Sequence, residues 1–308
     1  MIRSFTLIIL LLVVASSASA KPFRVLLDWF INPDHGALIL AQARGYYTEA
    51  GLDVKLIEPA DPNDPPLLLA AKKGDVAISY QPQLYLMRKE HLPVRAVGVL
   101  VNQPLNSLVV LDEGGAQNIQ GLKGKTIGYS VGGFETAILG KMLESVKLSL
   151  EDVELVNINF ALTSSLVSGQ VDAVIGAFRN FELNQLSLAN SKGRVFLPED
   201  YGVPFYDELI VLAHDEQLER ADIKAFLLAT QRAAKAIIAD PQGSWQEVIT
   251  YRPSLDDDLN RLAWQDTAPL LAGDIFNLSQ KRYQAFGEFA RTRGLIEEVL
   301  PIEGYIAK

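Results

Sequence analysis

Short apolar runs alternate with helically spaced segments along most of the 308-residue chain, and this alternation restricts the fold more than any other feature of the sequence. Phe23 to Asp28 (FRVLLD) reads as a strand that stops at the polar turn Asn32-Pro33-Asp34, and Gly36 to Arg44 (GALILAQAR) follows with helical spacing. Gly45-Tyr46-Tyr47 breaks that helix, and Gly51 to Ile57 alternates its side chains as a second strand. A right-handed crossover that leaves the two strands parallel is the economical connection. Leu67 to Lys73, closed by Gly74, adds a short helix, and Asp75 to Ser79 a third strand. The alternation then resumes, with strands at Lys125 to Tyr129, Glu154 to Ile158 and Asp172 to Ala177. Between them lie a helix at Phe134 to Leu143 and a helix end at Ser164 to Ser168. Two α/β units are therefore expected.

Ser107 to Leu111 (SLVVL) and Glu208 to Ala213 (ELIVLA) flank the second unit and read as a pair of connecting strands. A chain that leaves one α/β lobe, completes another and returns by a neighbouring strand makes two lobes with a cleft between them, an arrangement suited to hinge closure around a ligand. The expected division is lobe one at 21–112 plus 208–308 and lobe two at 113–207. After the return, Ile223 to Ala239 reads as a long amphipathic helix stopped by Asp240-Pro241. Further helices follow around Ser244 to Thr250, Asp256 to Leu262 and Lys281 to Arg293, all expected to pack on lobe one. The apolar spacings Leu259-Leu262-Trp264 and Tyr283-Phe286-Phe289 read as core.

Composition narrows the chemistry. Hydrophobic residues make up 49% and charged residues 21%, the balance of a folded domain. Twenty-eight basic against 37 acidic residues give a formal charge of -9, which opposes binding to nucleic acid. The absence of cysteine removes disulfides, thiolate metal sites, iron–sulfur clusters and thiol catalysis. His35, His91 and His214 are scattered without metal-ligand spacing, so no metal and no cofactor is expected. The acidic stretches Asp61 to Asp64 and Asp256 to Asp258 lack the spacing of a calcium loop and read as solvated loops or helix caps.

Met1 to Ala20 has the layout of an export signal: Arg3, then the apolar run Leu7 to Ala15, then Ala18 and Ala20 as small residues at the cleavage positions. An uncleaved anchor is the competing reading, although the run is short for a membrane span. The processed chain is expected to begin near Lys21 and carry a charge of -10, without a lipid anchor because no cysteine follows the run. These features suit the periplasm of a double-membrane bacterium.

In α/β sheets, ligands bind beyond the carboxyl ends of the strands, so the loops that follow the strands hold the candidate site. The first is Asp28-Trp29-Phe30-Ile31-Asn32-Pro33-Asp34-His35, where Trp29 can stack on a flat ring while Asp28 or Asn32 meets its nitrogens and His35 stands near; turn chemistry alone also accounts for Asn32 and Pro33. The second holds Ser79 and Gln81 ahead of a helix start at Pro82, and helix capping explains Ser79 equally well. In the third, Ser130, Gly132, Gly133 and Phe134 offer free backbone N–H groups to an anion or a polar ligand edge, or simply enter a helix. In the fourth, Phe178, Asn180 and Glu182 follow a strand, and Glu182 can accept from an exocyclic amine or sit as a first-turn carboxylate facing solvent. Tyr206-Asp207-Glu208 adds polar groups at the return crossover, so Tyr206 and Glu208 join the candidates, with interlobe packing as the other reading of Tyr206.

Several stretches carry a family resemblance. LLDWFINPDHGALILAQARGYYTEAGLDVKLIEPADPNDP (Leu26 to Pro65), LKGKTIGYSVGGFETAIL (Leu122 to Leu139), DAVIGAFRNFE (Asp172 to Glu182) and ADPQGSWQEVITYRPSL (Ala239 to Leu255) together span most of the chain beyond the export segment. They resemble the thiamine-pyrimidine-precursor family of bacterial periplasmic substrate-binding proteins, whose eukaryotic relatives make that pyrimidine. The GYYTEAGLD words also occur in sulfonate and nitrate binders and support the broad fold only, whereas the Asp-Trp…Asn…His loop is more pointed. The resemblance implies a type II binding protein without catalytic activity that delivers a formylaminomethyl- or hydroxymethyl-aminopyrimidine to an ABC permease in the inner membrane; nothing in the sequence indicates an oligomer, and a monomer is expected. By likeness, Trp29, Asn32 and Phe178 would sandwich or edge the ring and Glu182 would pair with its amino edge, while Arg179 departs from the aromatic residue often found there.

Two alternatives come with the resemblance. The related pyrimidine synthases carry a cysteine-rich iron-linked motif, a sacrificed lysine and a histidine donor after the third strand, where this chain holds Ser79 and Gln83. A sulfonate, nitrate or taurine carrier would present cations to its anionic ligand, whereas the candidate loops here offer Asp28, Glu182 and Glu208.

Overall fold

The computed structural model describes residues 22–307, so the expected export segment lies outside the described residues. In chain order the strands are β1 (Pro22–Leu26), β2 (Asp53–Ile57), β3 (Val76–Ser79), β4 (Val94–Val101), β5 (Asn106–Leu111), β6 (Thr126–Tyr129), β7 (Glu154–Asn157), β8 (Ala173–Phe178), β9 (Gly193–Phe196) and β10 (Leu209–His214). The helices are α1 (Gly36–Ala43), α2 (Tyr46–Glu49), α3 (Asp64–Ala70), α4 (Gln81–Lys89), α5 (Phe134–Glu144) and α6 (Leu162–Val167), then α7 (Glu182–Leu188), α8 (Ala221–Ala239), α9 (Pro241–Tyr251), α10 (Asp258–Thr267) and α11 (Gln280–Thr292).

Two five-stranded sheets organise these elements, in the orders β2-β1-β3-β10-β4 and β7-β6-β8-β5-β9. The fold is thus the two-lobed α/β architecture of type II periplasmic binding proteins, with a cleft between the lobes. β1 pairs in parallel with β2 and β3, as the crossover expectation required. Every residue of β3 and β10 is buried, which explains why VAIS and LIVLAH are continuous apolar runs rather than alternating ones.

The expected boundary between the lobes needs correction. Ser107 to Leu111 was assigned to lobe one, but β5 pairs with β8 and β9 inside the second sheet, whereas β10 lies between β3 and β4 in the first. The two strands are not neighbours, because each is drawn into the middle of a different sheet. The first crossing between sheets therefore lies in the short stretch between Val101 and Asn106. β4 and β9 escaped the sequence reading, and α3 begins at Asp64 rather than Leu67, since Pro65 and Pro66 are tolerated in a first turn where no intrahelical N–H bond is needed.

The later helices cover lobe one. Phe226 of α8 stacks on Phe23 and on Tyr47 at centroid separations of 5.1 and 5.3 Å, and the Tyr47 hydroxyl lies 2.8 Å from Thr230 Oγ1. Full burial of a phenylalanine such as Phe226 contributes about 1.5–3 kcal/mol. Asp257 caps α10 by accepting the Asn260 N–H, the role anticipated for that acidic stretch.

At the crossover, Glu208 Oε2 accepts the backbone N–H groups of Leu105 at 2.6 Å and Asn106 at 2.9 Å. One side chain from the returning strand thus binds the outgoing one. Arg179 adds a second tie, donating to the carbonyl oxygens of Leu105 and Asn106 while pairing with Glu199 at 2.7 Å.

Candidate functional site

A cavity opens between the lobes at the carboxyl ends of β1, β6 and β8. Lobe one contributes Asp28, Trp29, Asn32, Asp34 and Tyr80, and lobe two contributes Phe134, Glu135, Phe178, Phe181 and Glu182 together with Val131, Leu162 and Gly176. The lining thus holds four carboxyl groups and several aromatic rings, with no lysine or arginine.

The lobe-one wall is built by side chains that hold one another. Asp28, 3% exposed, accepts from His35 Nε2 through Oδ1 at 2.9 Å and from the Tyr80 hydroxyl through Oδ2 at 3.0 Å. His35 Nδ1 takes the Asn32 N–H at 3.3 Å, which leaves the ring proton on Nε2, facing Asp28. Asn32 accepts the Asp34 N–H at 2.7 Å and so caps the single turn from Pro33 to His35 that carries this group. Burial, followed by the neighbouring Asp28 carboxylate, pushes the Tyr80 phenol well above its usual range.

The lobe-two wall is built from backbone. Glu135, in the first turn of α5, turns its Oε2 back to accept the N–H groups of Ser130 at 2.8 Å and Val131 at 3.1 Å. Glu182, in the first turn of α7, accepts the Phe178 N–H at 2.6 Å. Gly176 has φ +100°, and a Cβ there would stand 2.4 Å from Glu135 Oε1, so only glycine leaves room for that carboxyl. Burial drives both glutamate carboxyls up to about 8, against the pull of their backbone N–H partners. Burial likewise raises Asp34 to about 6 and Glu208 to about 7. A ligand that donates hydrogen bonds to these groups relieves the cost of ionising them out of water.

Contacts across the cleft hold the walls together. Asn180 Nδ2 of lobe two donates to Asp34 Oδ1 at 2.6 Å and to Thr267 Oγ1 at 2.8 Å, and Thr267, on lobe one with Asp34, donates to the same Asp34 oxygen at 3.0 Å. Asn184 reaches Asp266 at 2.8 Å, and Arg293 pairs with Glu144. At the rim, Phe160 of lobe two lies 4.6 Å from the Trp29 ring, nearly edge-on, and 4.4 Å from Phe30.

Of the residues the sequence singled out, Asp28, Trp29, Asn32, Phe134, Phe178 and Glu182 line the cavity. The others lie outside its lining. His35 supports Asp28, and Ser79 donates to Gln83 at 2.8 Å. Gln81 holds the Asp207 N–H at 2.8 Å. Ser130 caps Glu135, and Gly132 gives its N–H to Asn63 of lobe one at 3.2 Å. Gly133 starts α5 with φ +89°. Asn180 bridges to Asp34, Tyr206 is buried in the seam against Phe286, and Glu208 ties the crossover. Glu182 is 7% exposed, which rules out the solvent-facing reading. Arg179 points to the crossover rather than the cavity, so its departure from an aromatic leaves the lining intact.

Asp34, Tyr80, Val131, Glu135, Gly176 and Phe181 were overlooked although each sits in or beside one of the four loops that follow the strands. The signal available was position in a loop after a strand. Leu162 had none.

Comparison with known proteins follows the same lines. Residues 32–244 match the family model described as NMT1/THI5 like. A provisionally named thiamine biosynthesis protein of Haemophilus influenzae is 48% identical over 305 residues, 99% of this chain and 97% of that one. A formylaminopyrimidine-binding protein of Halalkalibacterium halodurans is 34% identical over 288 residues, covering 89% and 87%. A 4-amino-5-hydroxymethyl-2-methylpyrimidine phosphate synthase of Uromyces fabae is 25% identical over 292 residues, covering 91% and 85%. Among solved structures, the alkanesulfonate-binding protein SsuA of Xanthomonas axonopodis pv. citri, bound to MOPS, superposes with a TM-score of 0.71 at 17% identity, covering 94% and 99%. That likeness concerns the fold.

Proposed function

Because the chain belongs to the NMT1/THI5-like family, we propose that it is the periplasmic solute-binding component of an ABC importer, and that its cleft takes a thiamine-pyrimidine precursor, a formylaminomethyl- or hydroxymethyl-aminopyrimidine. The observation that carries this reading is a cavity lined by four carboxyl groups and aromatic rings with no cation. Such a lining suits a flat, amine-bearing heteroaromatic ring and opposes an anion. Trp29 and Phe178 supply ring faces, and Glu182, with one oxygen held by the Phe178 N–H, offers its carboxyl to the amino edge. Asn32 stands at the same wall. The protein acts by binding and release, as a monomer that passes its ligand to a permease.

The synthases among the relatives favour a second reading, that of an enzyme. The loop after β3 argues against it: Ser79 and Gln83 hydrogen-bond each other behind the cavity, and the chain has no cysteine. An alkanesulfonate carrier is opposed by a lining that holds no lysine or arginine.

Calorimetric titration of the chain from Lys21 onward, freed of copurified ligand, tests the proposal. The panel is formylaminomethyl-pyrimidine, hydroxymethyl-pyrimidine, thiamine and taurine. Saturable binding of an aminopyrimidine alone is the expected result; binding of taurine alone would overturn the assignment of ligand and the role of Glu182.

A further inference from the structure

The loop Ser130-Val131-Gly132-Gly133 between β6 and α5 has the form of an anion cradle, with successive backbone N–H groups at the start of an eleven-residue helix. Three of its four backbone donors are already taken. Ser130 and Val131 give their N–H groups to Glu135 Oε2, and Gly132 gives its N–H to Asn63 Oδ1 from the opposite lobe. Asn63 is itself held in place by Asp61, at 2.8 Å from both its backbone and its side-chain nitrogen. Glu135 is 3% exposed, lines the cavity, and fits only because Gly176 lacks a Cβ.

We infer that Glu135 is a specificity-determining residue whose carboxyl group permanently occupies the anion cradle of lobe two, so that the cleft takes free aminopyrimidines and rejects anionic ligands, their phosphate esters and alkanesulfonates included. The substrate class rests on the function proposed above; the occupied cradle does not. Rejection follows from the engaged cradle N–H groups and the lack of a cation in the lining. An incoming phosphate or sulfonate oxygen finds the Ser130, Val131 and Gly132 N–H groups bonded elsewhere, meets no lysine or arginine in the lining, and faces Asp28 and Asp34 across the cavity.

Two substitutions separate the parts of this inference. Glu135→Ala empties the cradle, whereas Glu135→Gln keeps an oxygen able to accept the same two N–H groups. With ethanesulfonate and methyl phosphate as probes, Glu135→Ala should bind at least about tenfold more tightly than the wild type. Glu135→Gln should stay near the wild type. Asn63→Ala, which leaves Glu135 in place and frees only the Gly132 N–H, should give a smaller gain of about threefold and serves if Glu135→Ala fails to fold. Wild-type binding of the phosphate ester as tight as that of the free pyrimidine would overturn the inference. So would the lack of any anion gain in the folded Glu135→Ala protein or, where that variant does not fold, in Asn63→Ala. If the wild type binds no pyrimidine while the variants gain anion binding, the proposed ligand falls and the occupied cradle stands.

Discussion

The two walls of the cleft present carboxyl groups to the same space but hold them by different means. On lobe one, Asp28 is gripped by His35 and Tyr80, side chains that arrive from the following turn and from the end of a strand 52 residues away. On lobe two, Glu135 and Glu182 lean back on N–H groups of their own loops, five residues away or fewer. A wall made of side chains fails when one member is removed, because its partners are left buried and unpaired. A wall made of backbone persists through a side-chain change, but depends on the chain path being open where the carboxyl must sit.

The largest expected effect tests the first half of that contrast. Asp28→Ala strands the buried His35 and Tyr80 groups and should lower stability by about 2–4 kcal/mol in urea unfolding; a loss no larger than that of an exposed aspartate would mean that the lobe-one wall is not a unit. Gly176→Ala attacks the second half. With φ +100° and Glu135 in the space a Cβ would take, it should cost about 2 kcal/mol and shift the Glu135 carboxyl. Glu182→Ala leaves the lobe-two backbone intact, so its effect should fall on the ligand: aminopyrimidine affinity should drop at least about tenfold, or about 1.4 kcal/mol, with little change in melting temperature. Unchanged affinity removes Glu182 from the site.

Acid dependence sharpens the same comparison with a gentler change. Burial disfavours the charge and pushes the carboxyls of Glu135 and Glu182 up to about 8, Glu208 to about 7 and Asp34 to about 6. The folded protein then holds more protons than the unfolded chain, so the stability these groups contribute is full at low pH and is lost as pH climbs through those values. The ligand-free melting temperature should therefore fall between about pH 5 and about pH 8.5, and Glu135→Gln with Glu182→Gln should flatten the decline. The smallest effect belongs to Arg293→Ala, which breaks an exposed pair with Glu144 across the cleft and should weaken ligand binding slightly, in a manner erased by salt.

Local pattern made the fold legible: β1, α1, β6, α5 and β8 all follow from apolar spacing and turn residues within a few positions of where they occur. The placing of β5 and β10 in different sheets was hidden because two similar apolar runs carry no mark of which sheet will bury them. At the site, Trp29, Asn32, Phe178 and Glu182 could be chosen from their loops, since residue type and position sufficed. Glu135 illustrates what was missed. The Gly-Gly-Phe-Glu words advertised free N–H groups, and only the folded chain reveals that the glutamate two places beyond the glycines turns back to claim the N–H groups of Ser130 and Val131. The bridge from Asn180 to Asp34 joins residues 146 apart and had no local trace.

The seat of β10 between β3 and β4 also fixes an order of assembly. β3 and β4 do not pair with each other; each is bonded to β10, which ends at His214. The second sheet needs only residues between Asn106 and Phe196 and can be completed from one uninterrupted stretch. A chain emerging from its N-terminus therefore lays down four of the five strands of lobe one's sheet early, yet must hold β4 apart from β3 until lobe two has been made. The lobe that begins first is finished last, and for that interval β4 is an open template for wrong partners.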